Sequence, residues 1–129
     1  MIWLNGNFED SGKISPSDRG FLLGDGVFET MIWHKFDSKP GYGVEFWDMH
    51  LKRMMNSCDN LRINKPSNQI INLYRKKVIL KAIKSGMNRG ILKILITAGK
   101  DYGLFLSGMF NILSNYIYLL SILGFSLLL

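Results

Sequence analysis

The residues with the clearest chemical capacity lie on one predicted helix. His50, Arg53 and Ser57 fall at three- and four-residue spacing within the segment from Asp48 to Asn60, which sets them on one side of it. Leu51, Met54, Met55 and Cys58 recur at i, i+3, i+4 and i+7 and form the apolar stripe. The polar side is turned roughly 100–160° away from that stripe at the helical period. An arginine so placed can grip a planar anion through forked, charge-assisted hydrogen bonds. It can equally form a solvated ion pair with a nearby carboxylate, and the spacing leaves both readings open. Farther along, Ala98 to Gly103 reads as a polar loop in which Lys100 is the only cation and Tyr102 the only phenol. His34 and His50 are too few and too far apart for a zinc site. Cys58 is the only cysteine, so neither an intramolecular disulfide nor a cysteine metal cluster can form.

These side chains need a scaffold. Ile2 to Phe8 reads as a small hairpin, because Asn5-Gly6 suits the two positive-φ positions of a type I′ turn. Residues 10–20 are rich in turn formers and read as a loop. Gly24-Asp25-Gly26 then leads into a strand from Val27 to His34, rich in aromatic and β-branched residues. Period-2 alternation sends Phe28, Thr30, Ile32 and His34 to one face and Val27, Glu29, Met31 and Trp33 to the other. Residues 35–43 are a turn region, and Tyr42 to Phe46 a short paired strand. After the first helix, a second runs from about Asn68 to Ser85, with Ile71, Tyr74, Val78 and Ala82 inward, Ile79 and Ile83 beside them, and Gly86 as its stop. Ile91 to Thr97 is a strand. The order of elements predicts an α+β fold with helices on one face of a small mixed sheet.

The chain has 129 residues, enough for one domain with a modest core. Its formal net charge of +6 suits an anionic ligand or surface. The basic residues are scattered, with Arg75-Lys76-Lys77 the only run of three, and no aromatic-interleaved stripe marks a nucleic-acid binder. No nucleic acid is therefore expected as a partner. The lone cysteine fits a reducing, cytoplasmic setting. The first ten residues have no basic segment followed by an apolar one, so they do not read as a signal peptide.

Four stretches together resemble a known family: WLNG at 3–6, SPSDRGFLLGDGVFETM at 15–31, HLKRM at 50–54 and LKILITAGKDYG at 92–103. Their order and spacing are similar to the N-terminal domain of the fold-type IV PLP-dependent enzymes. These are the class IV aminotransferases, which include D-amino-acid and branched-chain aminotransferases and 4-amino-4-deoxychorismate lyase. The resemblance covers residues 2–103. It implies pyridoxal 5′-phosphate as cofactor, a small-molecule amino substrate and a homodimer. It implies that Arg53 binds the cofactor phosphate, that Phe28 lines the substrate pocket, and that Lys100 and Tyr102 lie in the loop that shapes substrate choice. Arg19 is expected to tie down its loop near the dimer contact, and His50 to be structural. Where D-amino-acid aminotransferases tend to carry a tyrosine that holds the substrate carboxylate, this chain has Phe28, which has no hydroxyl. That departure makes the lyases the nearer resemblance, with 4-aminobenzoate and pyruvate as products for folate synthesis.

The texture changes after Asp101. Residues 102–129 carry no charge, and 104–129 are apolar residues interrupted only by Ser, Asn and Gly. Three readings are open: a tail anchor in a membrane, a core segment, or a non-native ending after truncation or frameshift. The last is the expectation, giving a domain at 1–103 and an apolar tail at 104–129. The family lysine that forms the Schiff base with PLP lies in a second domain that the resemblance does not reach. No catalytic residue is therefore assigned, and the chain is expected to be inactive alone.

Overall fold

The computed structural model describes residues 2–9, 13–99 and 117–122. Asn5 and Gly6, at φ 47° and 100°, turn β1 (Ile2–Leu4) into β2 (Asn7–Glu9), as the Asn-Gly pair predicts. A short helix α1 (Arg19–Leu23) follows, then β3 (Gly26–Lys35), β4 (Tyr42–Val44), α2 (Trp47–Asn60), α3 (Asn68–Lys84) and β5 (Arg89–Thr97). A last strand, β6, covers Ile117–Ile122.

The sheet order is β2-β1-β6-β5-β3-β4. Every described pairing is antiparallel, where the sequence suggested a mixed sheet. The long register of β3 on β5, from Gly26 opposite Thr97 to His34 opposite Arg89, forms its backbone. β6 lies between β5 and β1, so six residues of the uncharged C-terminal stretch pair in the sheet. The rest of 104–129 lies outside the described residues, as do Lys100 and Tyr102. No helix among the described residues is long and apolar enough to cross a membrane.

The alternation along β3 is as the sequence predicts: Val27, Glu29, Met31 and Trp33 are buried, and Phe28, Thr30, Ile32 and His34 exposed. The buried side meets Leu51, Met54 and Cys58 of α2 and Ile71, Val78, Ile79 and Ala82 of α3, with Leu92, Ile94 and Ile96 of β5 completing the core. Each buried Leu, Ile, Val or Met side chain of this set contributes about 1.5–3 kcal/mol on burial. Ser67 caps α3 by accepting the Ile70 N–H at 3.3 Å. α2 has no side-chain cap; Asp48 stands in its first turn, where its charge complements the helix dipole.

α1 begins at Arg19, inside the last two residues of the loop expected over 10–20, and runs on to Leu23, where no helix was expected. Asp18 caps it by accepting the Phe21 N–H, and Gly24, left-handed at φ 69°, closes it with its own N–H on the Arg19 carbonyl. Gly24 thus ends a helical turn, and Gly26 begins β3.

Candidate functional site

At the core-facing side of β3, the sequence places one acid among apolar neighbours. Glu29 is 5% exposed, and a buried carboxylate requires partners. α2 supplies both. Arg53 donates Nε–H to Oε1 at 2.7 Å and Nη2–H to Oε2 at 2.6 Å, a forked pair. His50 Nδ1 lies 2.6 Å from Oε2. An ionised carboxylate has no proton to give, so Nδ1 carries the hydrogen and donates it. The 3.3 Å approach of Arg53 Nη2 to the same Nδ1 is then donor against donor, not a bond. Hydrogen bonds from Arg53, with a smaller contribution from His50, hold the Glu29 carboxyl below its usual range against the opposing effect of burial. The same pairing raises Arg53.

Two of the five guanidinium N–H groups are therefore spent on Glu29. The side chain remains 68% exposed, and Arg53 lines, with Phe46, Met49 and His50, a cavity of about 400 Å³. Phe46 and Met49 expose apolar surface there. The arrangement can hold an anion against a fixed cation, with apolar surface beside it. His50 is thus part of the arrangement and not only a helix-start residue. Glu29 is the member that motif reading missed; its signal was the single acid on the inward face of β3.

Phe28 is the next residue to Glu29, so its side chain leaves the opposite face of the sheet, 62% exposed. The fold does not bring Phe28 and Arg53 together. Phe28 instead meets Lys93, whose ammonium lies 4.8 Å from the ring centroid. Lys93 faces Thr30 across β3 and β5, two residues along from Phe28. No described carboxylate pairs with it. A cation on an aromatic ring thus marks the open sheet face.

A second polar cluster fixes the start of β3. Asp18 is buried and accepts Thr97 Oγ1–H at 2.8 Å, while Thr97 Oγ1 accepts the Gly99 N–H. Arg19 donates Nε–H to Asp25 at 2.7 Å and its backbone N–H to the Gly99 carbonyl. The loop carrying Asp18, Arg19 and Asp25 is thereby fastened to the end of β5. Gly20 makes the closeness feasible: a Cβ there would stand 2.4 Å from Thr97 Cγ2. Arg19 ties down its loop as expected. Among the described residues no cluster of His, Cys, Asp or Glu could hold a metal ion.

No protein-family model matches the chain. Aminodeoxychorismate lyase of Bacillus subtilis (strain 168) is 33% identical over 104 residues, which cover 77% of this chain and 32% of that protein. D-alanine aminotransferase of Staphylococcus aureus (strain MSSA476) is 31% identical over 90 residues, 67% of this chain and 30% of the relative. The chain thus spans about a third of the length of these curated relatives. Among solved structures, branched-chain amino acid aminotransferase from Escherichia coli superposes with a TM-score of 0.73 at 18% identity, over 94% of this chain and 40% of that one. The 4-amino-4-deoxychorismate lyase from Pseudomonas aeruginosa gives 0.61 at 25% identity, over 94% and 39%. Over the part it shares with these proteins, the chain belongs to the fold-type IV PLP-dependent enzymes, the class IV aminotransferases, and corresponds to their N-terminal domain.

Proposed function

We propose that residues 1–103 supply one wall of a PLP site acting on a small amino substrate, with aminodeoxychorismate lyase chemistry as the leading reading and D-amino-acid or branched-chain transamination as the alternative. The observation that carries it is Arg53, which lines the cavity, is fixed by the buried Glu29 and by the helix it shares with His50, and spends only two of its N–H groups on Glu29. This donor set fits a phosphate, since a guanidinium offers planar, paired donors to its oxygens and the Glu29 clamp costs only one edge.

PLP, when bound, acts as an electron sink for charge developing on the substrate carbon. In this chain, Arg53 holds the phosphate, Glu29 and His50 orient Arg53, and Phe46 and Met49 limit water at the rim. Phe28, on the sheet face opposite Arg53, presents an apolar surface without a hydroxyl, which supports the lyase reading, and with Lys93 beside it forms a substrate contact separate from the phosphate wall. In the same proposal Lys100 and Tyr102 shape the substrate entrance, and Phe21, Leu22 and Leu23, exposed on α1, meet a second copy in a homodimer. No residue described here is assigned as the lysine that carries the cofactor. The setting is cytoplasmic, in folate synthesis for the lyase.

The test is PLP binding by the full chain, followed by cofactor fluorescence, beside pyridoxal, which lacks the phosphate. Arg53→Ala is expected to weaken PLP on the order of tenfold and leave pyridoxal unchanged. Equal losses for both, or none for PLP, overturn the reading.

A further inference from the structure

α3 has a second face that the core does not use. Its inward side carries Ile71, Val78 and Ala82, all buried. At the helical period, Leu80 points about 180° from the centre of that group, and Leu73 lies about 20° from Leu80. Both leucines are open, 49% exposed at Leu73 and 39% at Leu80. Lys76 borders them on one flank, and Lys77, Lys81 and Lys84, all exposed, on the other. Lys77 and Lys81 lie across the rings of Trp3 and Phe8, at 5.4 and 4.9 Å from the centroids, which steadies their ammonium groups on that flank.

The charge on this face is one-sided. Residues 60–99 contain no Asp or Glu, and α3 itself has five basic residues without an acid. Among the described residues, none of the four lysines pairs with a carboxylate. A face of this charge calls for an anionic partner.

The composition selects the kind of anion. Nucleic-acid surfaces favour arginine and exposed aromatic rings for stacking. Here Arg75 is drawn onto Trp47 at 4.1 Å, and the centre of the face is two leucines. Protein interfaces are depleted in lysine. A lipid surface accommodates both features: leucines enter the headgroup boundary while lysine stems extend their charges to the phosphates.

We propose that the outer face of α3, with Leu73 and Leu80 flanked by Lys76, Lys77, Lys81 and Lys84, is a peripheral docking surface for anionic lipid membranes. Each lysine near such a surface strengthens binding about fivefold. The proposal is independent of the PLP reading, because α3 contributes nothing to the Arg53 cavity.

The test is vesicle flotation of the full chain. Wild type is expected to float with vesicles containing phosphatidylglycerol, not with pure phosphatidylcholine, and to be released by salt. Lys77→Glu combined with Lys81→Glu should weaken binding by more than about twentyfold. Leu73→Ser with Leu80→Ser should weaken it at unchanged charge, and circular dichroism should match wild type for both variants. Flotation of both variants at wild-type strength overturns the proposal and moves the contact to residues 104–129. Failure of wild type to float overturns it too, as does tighter binding to duplex DNA that the leucine variant retains.

Discussion

Glu29→Gln isolates what the buried carboxylate does. Glutamine keeps the shape but offers one acceptor where Arg53 and His50 supply three donors. Its amide nitrogen must face a donor, so at least one charge-assisted hydrogen bond is lost and another weakened. Hydrogen bonds to charged groups contribute about 1.5–3 kcal/mol each, and relaxation of the exposed Arg53 recovers part, so the expected loss is about 2 kcal/mol at pH 7. For a domain of this size that lowers Tm by roughly 6–10 °C. The pH dependence gives a second, independent reading. The folded-state Glu29 lies below its ordinary value of 4.5, with the Arg53 hydrogen bonds as the main cause. Its contribution is therefore complete above about pH 4.5 and lost as pH falls through the depressed folded value. Urea unfolding of wild type and variant from pH 7 down to pH 3 should show a gap that is level above pH 5 and narrows below 4.5. A gap that is absent at pH 7, or that persists undiminished to pH 3, would refute the ionised-carboxylate account.

Other expectations follow from the polar latch and the core. Thr97→Val removes the hydroxyl that Asp18 accepts and leaves a buried carboxylate oxygen without that donor; a loss of about 1–3 kcal/mol in urea unfolding is expected. Gly20→Ala drives a Cβ into Thr97 Cγ2 and should destabilise by about 1–3 kcal/mol. The double variant Gly20→Ala, Thr97→Ser should recover part of that loss, which a helix-propensity effect alone would not allow. Burial pushes the Cys58 thiol up to about 11. Its labelling by a thiol reagent at pH 8 should be slow in the native protein and fast in urea, and equal rates would contradict its position in the core.

Much of the scaffold was legible because it rests on local rules. The period-2 pattern of β3 sorted Glu29 and Phe28 to opposite faces, since successive strand side chains must alternate; the packing of the helices decided that the Glu29 face is the inward one. The stripe Leu51, Met54 and Cys58 is buried for the same kind of reason, the 3.6-residue helical period. The Asn5-Gly6 turn depended on backbone preferences of two residues. α1 was missed because it is one short turn held by a cap and a latch, with no apolar periodicity of its own.

What the chain alone determined, then, were the faces: which side chains share one side of each strand and helix, and that Arg53 points away from the apolar stripe of its own helix. It could not determine partners. Arg53 and Glu29 are 24 residues apart and Asp18 and Thr97 are 79 apart, and no local preference encodes which distant groups meet. The seat of Ile117–Ile122 between β5 and β1 is of the same kind. An uncharged apolar stretch is compatible with bilayer, core or unfolded chain, and no local preference names the strands it would pair with. The separation of Phe28 from Arg53 follows likewise: each orientation is local, but only the packing of α2 on one face of β3 sets them on opposite sides of the sheet.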